Sequence, residues 1–207
     1  MNTLPTLVIL AAGRGSRFQG GGHKLTQALG DTTVLGATLS AAVSSGLPLI
    51  VVTTAPLEQA ALEIVAARDV LVLPEVGSVL GLGVGRSITA GVSARSSASG
   101  WLVLPADLPL IQATTLRAVA DALAQSPVAY AQFQGRRGHP VGFSAELYSE
   151  LATLQGDEGA RRLLARYPSL GVDVDDIGAV RDIDTVEDLA TVRALWRERE
   201  TLATSMR

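Results

Sequence analysis

Along almost the whole chain, short apolar runs alternate with segments whose apolar residues recur at helical spacing, and few folds admit that pattern. Strands separated by helices must cross over before pairing, so they pair in parallel and need helices on both faces of the sheet. Residues 8–10, 49–53, 70–73, 101–104 and 128–133 read as strands, with helices at 34–43, 56–67 and about 85–94. A further helix carries Leu116, Val119, Ala120 and Leu123 at core spacing. Beyond it the pattern predicts a strand at 140–143, helices at about 145–154 and 158–167, and strands near 171–174 and 180–183 that close the sheet. The last helix starts at Thr185, where Thr185 and Asp188 form a capping box and Val186, Leu189 and Trp196 an apolar stripe. No internal repeat is present, and the serine-rich stretch 93–99 reads as a loop. The expected fold is a single-domain α/β, Rossmann-like three-layer sandwich with a mostly parallel sheet, spanning residues 1–207.

Composition agrees and narrows the partners. With 207 residues, 47% of them hydrophobic, the chain can bury one sizeable core. A net charge of −3 offers no general attraction to nucleic acid, so positive charge must act locally at a site. The absence of cysteine excludes disulfides, thiolate ligands and a cysteine nucleophile, and suits a reducing cytoplasm. The opening segment lacks a basic region and its apolar run is short, so it reads as the first core strand rather than a signal peptide. No stretch approaches the ~18 apolar residues of a membrane span, and no membrane partner is expected.

In an open parallel sheet, ligands bind beyond the carboxyl ends of the strands, so the residues after each strand carry the functional expectations. The first such place is VILAAGRGSRFQGGGHKL, residues 8–25. Leu10, Ala11, Ala12 and Gly13 let the backbone turn closely around a ligand, and Gly13 and Gly15 can adopt conformations closed to other residues. Successive N–H groups can then converge on phosphate oxygens. Arg14, Arg17 and Lys24 add positive charge, the arginines as planar forks and the lysine as a movable point charge. An ordinary strand-to-helix turn with solvated basic residues would read similarly. The dinucleotide fingerprint fails here because Phe18 stands where its third glycine should be, and a Walker A loop fails because Leu25, not Ser or Thr, follows Lys24.

The second place is LVLPADLPLI, where Asp107 follows a strand between prolines that fix the local backbone. A rigid carboxylate there suits Mg²⁺, which takes one or two carboxylates plus substrate phosphates; alternatively it caps the next helix. Asp182 and Asp184, on one face of an expected strand, could add to the metal or its waters. Gly83 and Gly85 precede Ser87 at a helix start, either as a base- or phosphate-contacting loop or as a flexible helix entry. Arg136, Arg137, Gly138 and His139 sit on an expected turn before a strand, which a surface hairpin tip would also explain. With only His23 and His139 in the chain, a histidine metal cluster is excluded.

Leu10-Ala11-Ala12-Gly13, with the arginines and Lys24 beyond it, resembles the MobA/MocA-like nucleotidyltransferase motif L-A-A-G-x-G/S-x-R-[FM]-G followed by lysine. Within that superfamily the chain looks most like the molybdenum cofactor cytidylyltransferases; the guanylyltransferase branch more often shows L-A-G-G. Asp107-Leu108-Pro109 resembles the family's metal motif, Gly138-His139-Pro140 its acceptor-side element, GDEGARRLL its G-D-x-G-A-R segment, and DIDT its D-I-D-T-P-E-D-L stretch. Departures are Gly20–Gly22, which lengthen the path to Lys24, His23 where an acidic or amide residue is commoner, and Val186 in place of proline.

The resemblance implies a fold of the nucleotide-diphospho-sugar transferase type and transfer of CMP from CTP to molybdopterin. It implies Mg²⁺ as cofactor, Ser87 as a reader of cytosine, and Arg137, His139, Asp157 and Arg161 as acceptor contacts, although Asp157 could simply cap its helix. A molybdoenzyme client would fit as a protein partner. A phosphate acceptor, with a second pKa near ~6, is already ionised and needs no strong base; the reaction needs cations and positioning instead. The alternatives are a guanylyltransferase or another transferase of the same chemistry, a dinucleotide-dependent oxidoreductase, and a nucleotide-sensing chaperone.

Overall fold

The computed structural model describes residues 4–74, 83–156 and 160–205. Strand β1 (Thr6–Leu10) runs into the glycine-rich loop, which ends in a 3-10 turn (Lys24–Thr26) and a small hairpin of β2 (Ala28–Leu29) and β3 (Thr32–Thr33). Then come α1 (Val34–Ser44), β4 (Leu49–Thr54), α2 (Ala55–Leu62), β5 (Val70–Leu73), α3 (Val84–Ala94), β6 (Gly100–Pro105) and α4 (Ala113–Ala122). The remainder is β7 (Val128–Phe133), β8 (Arg136–Ser144), α5 (Tyr148–Leu151), α6 (Arg161–Arg166), β9 (Ser169–Asp173) and α7 (Val186–Ser205).

These strands form a seven-stranded sheet in the order β5-β4-β1-β6-β8-β7-β9. All neighbours pair in parallel except at β8, which runs antiparallel to both β6 and β7. The fold class is therefore the expected α/β sandwich with a mostly parallel sheet. Period-two alternation divides the core: Leu7, Ile9, Leu102 and Leu104 face one apolar cluster, while Val8, Trp101 and Val103 face the other. α1, α2, α4 and α7 cover the first face; α3, α5 and α6 cover the second. β1 and β6 are buried on both sides, which is why they read as unbroken apolar runs.

Several sequence expectations change. The helix expected over 56–67 ends at Leu62, and a 3-10 turn (Ala67–Asp69) precedes β5. Residues 145–154 split into a 3-10 turn and the short α5. β8 begins at Arg136, so Arg136 and Arg137 are strand residues; the tip of the hairpin is Gln134-Gly135, both at positive φ. No strand forms over 180–183. Residues Ile177–Val180 make a 3-10 turn instead, because Asp176 accepts a hydrogen bond from Gly178 N at 2.9 Å and caps it. That turn is wedged between the chain after β6 and strand β8: a Cβ on Gly178 would lie 2.2 Å from Leu110 C, and one on Gly138 2.2 Å from Ala179 O. Only glycine fits either place, and the wedge fixes where residues 181–185 emerge. Val186, expected in the apolar stripe of α7, is exposed; Val192 is buried with Leu189 in its place.

Candidate active site

Parallel strand ends bring the first loop and the chain after β6 together. Ala106 N donates to Leu10 O at 3.1 Å, and Ala11 N to Val52 O at 2.8 Å. Thr38 of α1 donates its hydroxyl to Ala106 O at 2.9 Å. Residues 182–185 are tied to the same point, since Ile183 N donates to Asp107 O at 3.2 Å. Side chains from three distant parts of the sequence are thereby held at one strand end.

Lys24 is the hub. Its ammonium donates to Asp107 Oδ2 at 2.6 Å, to Ile183 O at 2.8 Å and to Asp184 Oδ1 at 3.1 Å, which occupies all three protons. Arg17 pairs with the other oxygen of Asp184. The side chains of Lys24 and Asp107 are only 12% and 13% exposed, whereas Arg17 is 78% exposed. The inner pair is thus poorly screened, and the outer one contributes about 0–1 kcal/mol. Burial by itself would lower the pKa of Lys24, but the charge and hydrogen bond of Asp107, then those of Asp184, outweigh it and hold the ammonium above its ordinary value. Lys24 therefore stays charged throughout the physiological range.

Above this cluster lies a cleft of about 380 Å³ lined by Leu10, Ala12, Gly13, Gly15, Ser16, Arg17 and Lys24 of the first loop, with Leu25, Pro105, Asp107 and Asp184. Val84 and Ser87 of α3 line it as well. The volume suits a small-molecule ligand. Gly15 adopts φ +59°, a conformation that favours glycine, whereas Gly13, expected to do the same, is not among the positive-φ glycines. Ala11 is buried beneath the cleft, and Arg14 is exposed and does not line it.

One alternative falls away. Asp107 does not cap α4, whose N-cap is Gln112; at its start Gln112 N and Thr115 Oγ1 donate to Asp176 at 2.8 and 2.7 Å. Ser87 lies in α3, whose N-cap is Gly83 without a side-chain hydrogen bond, so the helix-entry reading stands beside the loop-contact one.

His139, on β8, stands near Asp107 as well. The β6–β8 ladder ends at Val103–Val141, and beyond it the chain carries Asp107 on one side and His139 on the other. Burial pushes the His139 imidazole below its ordinary value; the Asp107 and Asp182 charges oppose this, Arg161 reinforces it and the Val103 carbonyl opposes it. The ring is neutral at neutral pH. Its Nδ1 is buried without a hydrogen-bond partner, and so is Asp107 Oδ1. Arg137 lies outside this pair, with its guanidinium 4.3 Å from the Tyr130 ring centroid. Asp182 is exposed and does not reach Lys24; Asp157 lies outside the described residues.

The donor set accommodates a divalent cation in part. An anionic, buried and unpartnered Asp107 Oδ1 is a hard ligand in want of a positive partner. Among the described residues no three His, Cys, Asp or Glu side chains gather as a cage, so the protein would offer Asp107 and Asp184 and leave the remaining positions to phosphate and water. The Ile183 carbonyl and the imidazole of His23, which bonds the first loop, are site features the sequence reading missed. Neither has a motif, because both depend on how distant backbones meet.

The chain resembles known proteins over nearly its whole length. It is 34% identical over 202 residues to the purine catabolism protein PucB of Bacillus subtilis (strain 168), covering 90% of this chain and 94% of that one. The crystal structure of Rv0371c from Mycobacterium tuberculosis H37Rv superposes with a TM-score of 0.76 at 30% identity, covering 94% of this chain and 99% of that one. The same protein in complex with manganese superposes with a TM-score of 0.74 at 28% identity, covering 94% and 100%. Among the described residues no helix is long and apolar enough to cross a membrane. Residues 7–171 match the MobA-like NTP transferase domain, and with a lysine, an arginine and two carboxylates gathered at the strand ends, the chain belongs to that family of nucleotidyltransferases.

Proposed function

We propose that this protein transfers CMP from CTP to the terminal phosphate of molybdopterin and releases pyrophosphate. The observation that carries the reading is the meeting of Lys24, Asp107 and Asp184 at the mouth of the loop-lined cleft, with one oxygen of Asp107 buried and unpaired. The triphosphate lies along residues 13–17, where Arg17 and Lys24 receive its oxygens and Arg14 draws it in from the rim. Ser87, on the far wall of the cleft, meets the base. The acceptor enters from the other side of Asp107, where His139 and Arg161 stand, with Arg137 and Asp157 assigned beside them on the resemblance.

An acceptor phosphate oxygen attacks the α-phosphorus. The new P–O bond forms as the bond to the β-phosphate oxygen breaks, and the electron pair leaves with pyrophosphate. No side chain needs to remove a proton, because a phosphate monoester is already largely ionised at neutral pH. Arg17 and Lys24 relieve the repulsion between two anions and stabilise the departing charge. Since every proton of Lys24 is already committed, a phosphate oxygen reaches it only when at least one carboxylate or carbonyl bond is given up. Asp107 and Asp184, with Asp182 nearby, would hold Mg²⁺, which supplies charge neutralisation at the phosphates; the manganese complex of Rv0371c supports a divalent cation of this kind.

Calorimetric titration with CTP, GTP, ATP and NADH, each with and without Mg²⁺, tests the assignment. Magnesium-dependent preference for CTP, followed by pyrophosphate release on adding molybdopterin, is the expected result. Preference for GTP would shift the protein to guanylyl transfer, and binding of NADH alone would overturn the reading.

A further inference from the structure

Three consecutive glycines, Gly20–Gly22, lengthen the path from the phosphate loop to Lys24, and one side chain closes that path. His23 Nε2 lies 3.0 Å from Gly13 O, while its Nδ1 accepts from Leu25 N at 3.2 Å. The two bonds together require the neutral tautomer with its proton on Nε2. One imidazole thus spans from the loop's first glycine to the 3-10 turn that carries Lys24, and it caps that turn. Its own carbonyl accepts from Thr26 Oγ1 at 2.9 Å and Gln27 Nε2 at 3.3 Å, and Gln27 Nε2 also donates to Gly21 O at 2.7 Å. The lysine stem passes close by: a Cβ on Gly15 would lie 3.3 Å from Lys24 Cγ and 3.8 Å from His23 Nε2.

We propose that His23 is a positioning residue for nucleotide binding, acting through Lys24. It fixes the lysine against the backbone of residues 13–15 and keeps the Gly13 carbonyl engaged with the imidazole rather than facing a phosphate anion. Without it, the glycines at 20–22 would leave the Lys24 turn to be ordered at the moment of binding, and that ordering weakens affinity. The inference rests on the reading of Lys24 as a phosphate contact.

The test is a double-mutant cycle on the full chain, with MgCTP and MgGTP as probes. Each lost hydrogen bond weakens binding by about two- to tenfold. His23→Ala loses both bonds. His23→Asn retains a cap on Leu25 N but is too short for Gly13, so its affinity falls between wild type and His23→Ala. In a Lys24→Met background, His23→Ala brings no further loss, because the group it positions is gone. Wild-type affinity in His23→Ala, with Lys24→Met weak, overturns the role of His23 alone. A full additional loss in the Lys24→Met background also overturns it, since His23 would then act on the loop and not through Lys24. Wild-type affinity in Lys24→Met itself removes the underlying reading, and this inference with it.

Discussion

The two sides of Asp107 are built on opposite terms. Toward the loop-lined cleft its Oδ2 is bound by Lys24, every proton of which has an acceptor, and Asp184 is shared between Lys24 and Arg17. Its Oδ1, by contrast, has no hydrogen-bond partner, and neither has Nδ1 of His139. One oxygen is satisfied internally; the other is buried without a hydrogen-bond partner. Unpaired buried polar atoms cost about 1–3 kcal/mol each, which sets Asp107 Oδ1 and His139 Nδ1 apart from the saturated ion cluster. Charge makes the same distinction. Two cations balance two carboxylates in the cleft, and a divalent ion added alone would leave an excess that an incoming triphosphate removes. Metal and nucleotide should therefore bind this protein together better than either binds alone.

Replacing Asp107 acts on both sides at once and should have the largest effect. Asp107→Ala is expected to reduce turnover by at least about 10³-fold, as loss of a preorganised charged group at a reacting phosphate does. Removing the partner of a mostly buried ammonium also costs stability, about 1–3 kcal/mol, so thermal unfolding should accompany the pyrophosphate-release assay. Near-normal turnover in a folded Asp107→Ala protein would remove the carboxylate from the reaction.

Lys24→Met opens only the saturated side, and its effects should have opposite signs. Nucleotide affinity is expected to fall about tenfold or more, because a charge-assisted contact is lost. Mn²⁺ binding in the absence of nucleotide, followed by electron paramagnetic resonance, should tighten, because the competing ammonium has left Asp107 and Asp184. If Mn²⁺ binds the variant more weakly than wild type, the carboxylates are not held in reserve by Lys24.

The satisfied side was also the more legible one. Residues 10–17 and Lys24 announce themselves because a strand, a tight turn and basic residues are adjacent in sequence, and Asp107 because two prolines and an apolar run frame it. The sheet followed from alternation for the same local reason. What could not be read depended on long-range steric fit. Asp182 and Asp184 alternate as a strand would, yet the wedge of residues 177–180 between Gly138 and Leu110 prevents a strand, and only Asp184 arrives at Lys24. Arg136 and Arg137 looked like turn residues because the real tip, Gln134-Gly135, is only two residues long. The bond from Gln112 N at the start of α4 to Asp176 joins residues 64 apart in sequence.

The unsatisfied side is isolated by His139→Ala. Nucleotide affinity should remain at the wild-type level while KM for the phosphorylated acceptor rises about tenfold, the worth of one good hydrogen bond to a charged group. Steady-state kinetics at saturating nucleotide separates the two, and a rise in nucleotide Kd without change in acceptor KM would assign His139 to the nucleotide instead.

The smallest effect concerns the frame that holds Asp184 rather than either side of Asp107. Asp188 Oδ2 accepts from Thr185 Oγ1 at 2.9 Å, Thr185 N at 2.8 Å and Asp184 N at 3.1 Å, so the capping box at the start of α7 also holds the backbone of Asp184. Burial would raise the pKa of this carboxyl, but the Thr185 hydroxyl, the two amides and the Arg181 charge bring it below the ordinary 3.8. A carboxyl depressed in the folded state contributes stability that is complete above 3.8 and is lost as pH falls through its folded value. Asp188→Ala should therefore lower stability by about 1 kcal/mol at neutral pH, with the difference from wild type shrinking in acid. Denaturant unfolding at pH 7 and pH 3 measures this. A penalty that stays constant between the two would mean that Asp188 supports α7 by packing rather than by charge, and Asp184 would then owe its place to the wedge at Gly178 alone.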